Sequence, residues 1–238
     1  MKFTKWALML TAIAGLSALP AFGDSYTSST SFNAAISGLS GVTTANFDSD
    51  PTGDIGQGGT VDGITFTYNI NGGAGSLAVV SVFDTTSGAN SLGSDDPTTG
   101  ALFPGDSVTM TFATPINALG FFIIGGPYSN GDFTLTSSTA SATSSSTLET
   151  TLPDGGQVIF LGISSTADFS SATIGLDPGA GELWNIDDIT SAQRMPNSGG
   201  GGNTPMPEPS SWTLLALGLA ICALAARKTR SAQIQLLD

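Results

Sequence analysis

The chain has 238 residues, 19 acidic against 6 basic side chains, and a formal net charge of −13. It contains no histidine and a single cysteine, which excludes Ser-His-Asp and Cys-His catalysis, most catalytic zinc sites and any intrachain disulfide. So acidic a surface repels phosphate backbones, and nucleic acid is excluded as a partner.

At the N-terminus, Lys2 and Lys5 precede the apolar stretch Trp6 to Leu16, and Ala21-Phe22-Gly23 places small residues at the two positions a signal peptidase reads. Residues 1–23 are expected to be a signal peptide, with the exported chain starting at Asp24. The short apolar core and the break at Pro20 favour cleavage over an uncleaved anchor helix. Residues 24–206 then carry 17 of the acidic side chains and one cation, Arg194, a net charge of −16. A body so charged stays off anionic lipid and draws divalent cations as counter-ions.

Residues 24–190 are predicted to form one all-β domain. Asp48, Asp50 and Asp54, in Asp48-Ser49-Asp50-Pro51-Thr52-Gly53-Asp54, set carboxylates at alternating spacing around a glycine turn. That pattern suits a hard, oxygen-loving ion such as calcium, the alternative being solvated acidic turns. Ile64, Phe66 and Tyr68 alternate with threonines, as do Val108, Met110 and Phe112, which predicts half-buried strands. Leu119 to Ile124 and Val158 to Ile163 are nearly continuous apolar runs, as central strands covered on both faces require.

Gly125 to Gly131 breaks the first of those runs. Tyr128 is the one aromatic side chain placed clearly in a loop, beside Asn130 and Asp132, and an exposed ring flanked by an amide and a carboxylate suits a sugar. Thr136 to Thr147, almost wholly Ser, Thr and Ala, reads as a flexible loop or an exposed edge strand. The closing strand, Leu183 to Ile189, has apolar residues on both faces around Asp187 and Asp188. One of these aspartates is expected to be poorly solvated and to need Arg194, backbone N–H groups or a bound cation as its partner. Ser31 to Ile36 is the only candidate for a helical turn. Eight or nine strands at this spacing predict a two-sheet antiparallel sandwich of jelly-roll type. Glu149 and Glu182 are the domain's only glutamates and nothing in sequence brings them together, so no catalytic residue is assigned and the chain is expected not to be an enzyme.

Residues 191–206, with four glycines at Gly199 to Gly202, read as a linker. Pro207-Glu208-Pro209 follows, then Trp212 to Ala226, apolar except for Thr213 and Gly218, then Arg227, Lys228 and Arg230. Fifteen helical residues span about 22 Å, short of a hydrocarbon core of about 30 Å, and snorkelling by Arg227 and Lys228 covers the difference. A transmembrane helix over 212–226 is predicted, with the basic cluster and the tail 231–238 held in the cytoplasm and the acidic body on the far side.

A Pro-Glu-Pro signal, an apolar helix and a basic cluster, in that order over residues 207–230, resemble the PEP-CTERM sorting signal of Gram-negative bacteria. The resemblance implies recognition of Pro207, Glu208 and Pro209 by an exosortase, a membrane protease-like enzyme with a cysteine nucleophile. It also implies an inner-membrane intermediate after signal peptidase has acted, then release to the cell surface or beyond, in company with exopolysaccharide, extracellular matrix or biofilm. More diffusely, Phe47-Asp48 early and Ile186-Asp187-Asp188-Ile189 late resemble lectin-like, carbohydrate-binding jelly rolls, whose first and last strands are neighbours beside a structural calcium. That resemblance implies Asp48, Asp50, Asp54, Asp187 and Asp188 as calcium ligands.

Overall fold

The structure, a computed structural model, describes residues 23–194. The expected signal peptide up to residue 22, most of the expected linker, Pro207, Glu208 and Pro209, the expected 212–226 span, Arg227, Lys228 and Arg230, and the tail 231–238 lie outside the described residues. Among the described residues no helix is long and apolar enough to cross a membrane.

Fourteen strands and one helix form in the order β1 (Asp24–Tyr26), α1 (Ser29–Ile36), β2 (Ser40–Ala45), β3 (Gly53–Asp54), β4 (Thr60–Val61), β5 (Ile64–Ile70), β6 (Gly73–Gly75), β7 (Leu77–Val80), β8 (Ser91–Ser94), β9 (Ser107–Gly125), β10 (Phe133–Ser137), β11 (Ser141–Thr143), β12 (Thr150–Thr151), β13 (Gln157–Leu176) and β14 (Trp184–Gln193). All belong to one hydrogen-bonded antiparallel sheet rather than to two separate ones. The surplus over eight or nine strands consists of two- and three-residue edge pieces.

Two long strands make the sheet fold over on itself. The first half of β9, Ser107 to Phe112, runs between β5 and Ser171 to Gly175 of β13. Its second half, Ala118 to Gly125, runs between Gln157 to Ser164 of β13 and β14. The passage between halves falls at Pro115, which has no N–H to give a ladder, and at register shifts on either side of Phe169. Val108 and Met110 from one half and Leu119, Phe121 and Ile123 from the other then share a single core, sandwich fashion.

Burial along the two strands follows the sequence pattern. In Ser107 to Phe112 buried and more exposed residues alternate, because one face meets the core and the other meets water. In Ala118 to Ile124 and Val158 to Ile163 almost every residue is buried, and α1 is one reason. The Phe32 ring of α1 lies on the outer face above Gly120 and Gly162, which are paired across the strands, and against Phe160. A Cβ at Gly120 would come within 2.5 Å of the Phe160 ring and 3.0 Å of the Phe32 ring, so the close approach requires glycine. Instead of one turn from Ser31, the helix has eight residues. Its first turn has no side-chain cap from Ser28 but is met by Glu149, whose carboxylate accepts from the Ser29 N–H at 2.7 Å and the Ser29 hydroxyl at 2.9 Å.

Strand β14 runs three residues past the expected boundary at 190, because Ser191 and Gln193 pair with Thr43 and Ser40 of β2. The first long strand and the last are thus neighbours. Within Thr136 to Thr147, Ser141–Thr143 is an edge strand on β10, with Ala142 turned inward.

Candidate functional site

Four acidic residues, Asp48, Asp154, Asp187 and Asp188, converge on one loop, residues 81–90 between β7 and β8. Asp48 follows β2, and its Oδ1 accepts from the backbone N–H groups of Ala89 at 2.8 Å and Asn90 at 3.2 Å. Asp187, fully buried in β14, accepts at Oδ2 from the Thr86 N–H at 2.9 Å and the Ser87 N–H at 3.3 Å. Its Oδ1 accepts from the Asp188 N–H at 2.8 Å, and Asp188 in turn accepts from the Ser87 hydroxyl at 2.8 Å. Farther along the loop, Asp84 and Asp154 each take the other's backbone N–H. Backbone donors, not Arg194, are therefore the partner Asp187 requires.

The Thr86 hydroxyl lies 2.6 Å from Asp187 Oδ2 and 2.9 Å from Asp188 Oδ2. It has one hydrogen, so it can donate fully to only one of the two carboxylates. A proton on the Asp187–Asp188 pair would complete the chain. Burial, with the Asp188 charge adding to it and the Thr86 hydroxyl opposing, pushes the Asp187 carboxyl up to about 6. Backbone geometry is also unusual here, since Phe47 and Asp188 have positive φ of 62° and 49°. Such conformations in non-glycine residues cost about 1–3 kcal/mol each and persist where the surroundings over-determine them.

These contacts decide how well calcium fits the five aspartates. Asp48, Asp187 and Asp188 do gather around one loop, and Asp48 Oδ1 and the oxygens of Asp187 and Asp188 bond within it or to each other's backbone. Asp54 lies apart on β3, where the Ser76 hydroxyl and the Gly56 N–H bind it and lower its pKa. Of the five, Asp50 alone keeps a buried carboxylate oxygen with no partner among the described residues. No group of three or more acidic side chains able to hold a metal occurs among those residues. These bonds make Asp48, Asp187 and Asp188 a clamp on the 81–90 loop.

Tyr128 is not the exposed ring that its loop position predicts. It is 7% exposed, edge-on to Phe133, which is itself edge-on to the buried Trp184. A loop this close to the core gains more by burying its aromatic face than by offering it to solvent. Asn130 accepts from the Ser146 N–H and so ties its loop to the segment after β11, while Asp132 accepts from the Ser129 N–H within its own loop.

The open concavity lies nearby, on residues the sequence does not group. A cleft of about 380 Å³ forms where β9 ends and β13 and β14 begin, roofed by the 81–90 loop. Gly125, Gly126, Gly155 and Gly156 contribute to it without side chains, while Phe83, Leu183, Glu182, Asp154 and Asn185 supply its chemistry. Gly125 has a φ of 152°, and a Cβ there would lie 2.2 Å from the Leu183 carbonyl oxygen. Behind Gly125 sits the Tyr128 hydroxyl, buried and without a partner among the described residues. Burial and the Glu182 and Asp132 charges raise its pKa. Arg194, the one cation of the domain, lies at the other end of β14, roughly 30 Å away for a ten-residue strand. There it lines a small pocket together with Gly23, so the domain's first and last described residues leave it side by side.

No family model matches the sequence, and no curated protein matches it.

Proposed function

We propose that the chain is an exported, non-catalytic surface or extracellular-matrix protein. Its jelly-roll-like domain would be carried out of the cytoplasm by the N-terminal signal and sorted by the Pro207-Glu208-Pro209 segment. Signal peptidase and an exosortase are its processing partners in this reading, and exopolysaccharide its surroundings. The observation that carries it is the order of segments along the chain. An acidic β domain of net charge −16, held together without a disulfide, stands between an N-terminal apolar stretch behind two lysines and a C-terminal apolar stretch ahead of three cations. Strand β1 opens at Asp24, the residue expected to become the mature N-terminus, which supports the reading.

Glu149 is engaged at the α1 N-terminus, and Glu182 lines the cleft. Protease added to intact cells tests the export claim. The domain should be digested while a cytosolic marker survives; a domain digested only after lysis overturns the proposal.

A further inference from the structure

We propose that the cleft beside Phe83 and Leu183 binds a neutral saccharide unit, and does so without calcium. This rests on the exported, non-catalytic reading and names the ligand class of that domain. Three features of the cleft narrow its occupant. The first is charge. The domain carries seventeen acidic side chains and one cation, which sits at the far end of β14, so nothing in the cleft neutralises an anion and Glu182 and Asp154 repel one. Uronic acids, sulfated sugars and phosphates are thereby excluded.

The second is the apolar rim. Phe83 is 37% and Leu183 38% exposed, and both line the cleft, with the still more exposed Val82 next in sequence. Phe83 and Leu183 are thus two of the six large apolar side chains exposed among the described residues, and they meet at one concavity. Grouping of this kind marks a contact surface rather than chance exposure. The third is polarity. Glu182 and Asp154 line the same cleft, and a wholly apolar ligand would strip water from them without replacing its hydrogen bonds.

A sugar ring meets all three conditions. It is uncharged, its C–H faces suit Phe83 and Leu183, and its hydroxyls donate to carboxylates and amides. A floor of glycines lets such a ring approach the backbone closely, and the volume admits on the order of one or two rings. The clamp of aspartates gives the loop carrying Phe83 a fixed position, which limits the ordering cost of binding.

The test uses the full-length protein in a non-glycosidic detergent with EDTA present. Cellohexaose, laminarihexaose and mannohexaose are titrated calorimetrically, with an alginate hexamer and hexalysine as charged comparators. At least one neutral hexasaccharide should bind, and Phe83→Ala and Leu183→Ala should each weaken it by about tenfold with the melting temperature unchanged. Failure of all three neutral sugars to bind overturns the proposal, as do affinity indifferent to both substitutions, stronger binding of alginate, and binding of hexalysine alone. The export reading is scored separately by protease accessibility of the Phe83→Ala protein on intact cells. Surface display without sugar binding overturns only the saccharide proposal.

Discussion

At the scale of the residue, the buried Asp187 carries the clearest consequence. Its folded pKa of about 6 lies above the ordinary 3.8, so between those values the folded chain holds a proton that the unfolded chain has released. For this group stability is fully present below the lower value and is lost as pH rises through the upper one. The melting temperature of the purified protein at constant ionic strength is therefore expected to be higher at pH 5 than at pH 7.5, with relief of the domain's negative self-repulsion acting in the same direction. Asp187→Asn should flatten that dependence while lowering the melting temperature throughout, because an amide cannot accept at both of its ends. A melting temperature that climbs from pH 5 to pH 7.5 would contradict the assignment. The Phe32 ring makes a second residue-scale prediction. Phe32→Ala removes a fully buried ring from its seat over Gly120 and Gly162, and urea unfolding should show a loss of about 3–5 kcal/mol.

Among the elements, the 81–90 loop depends on distant carboxylates. Asp48→Ala leaves the Ala89 and Asn90 N–H groups without their acceptor, at a cost of about 1–3 kcal/mol. Hydrogen exchange at those two amides should accelerate well beyond that of β9 amides, and unchanged protection would show that the loop is held by other means. The strands around it were legible in the sequence where one physical rule governs. Val108, Met110 and Phe112 alternate because one face of their segment meets water, and Leu119 to Ile124 run on because α1 covers their second face. That Ser107 to Gly125 is one strand was not legible, since Pro115 reads as a break where it marks a passage between layers. The helix was legible only as a turn at Ser31 to Ile36, because the seat of Phe32 is built from two glycines more than forty residues apart. The neighbouring of β2 and β14 was legible in Phe47-Asp48 and Ile186 to Ile189. The bonds of their aspartates to Thr86 through Asn90 were not, because a backbone N–H leaves no mark in sequence. The same limit hid the cleft, whose residues come from five separate stretches, while Tyr128 was visible but turned the other way.

For the whole molecule, the clamp has a metal-free consequence. Because Asp48, Asp54, Asp187 and Asp188 already accept from N–H and O–H groups, millimolar calcium or EDTA should leave the melting temperature within about 2 °C of its value in buffer. A large rise with calcium would restore the five-aspartate site. The layout of the domain also suits display. The cleft lies at the Trp184 end of β14 and the chain continues from Arg194 at the other end, beside Gly23. A C-terminal attachment would then leave the cleft end unobstructed.

The most direct test of the account is intact mass spectrometry of the protein recovered from the cell surface. A chain beginning at Asp24 and ending close to Pro207 is predicted. Recovery of a species that retains Met1, or of one that runs through to Asp238, would contradict it.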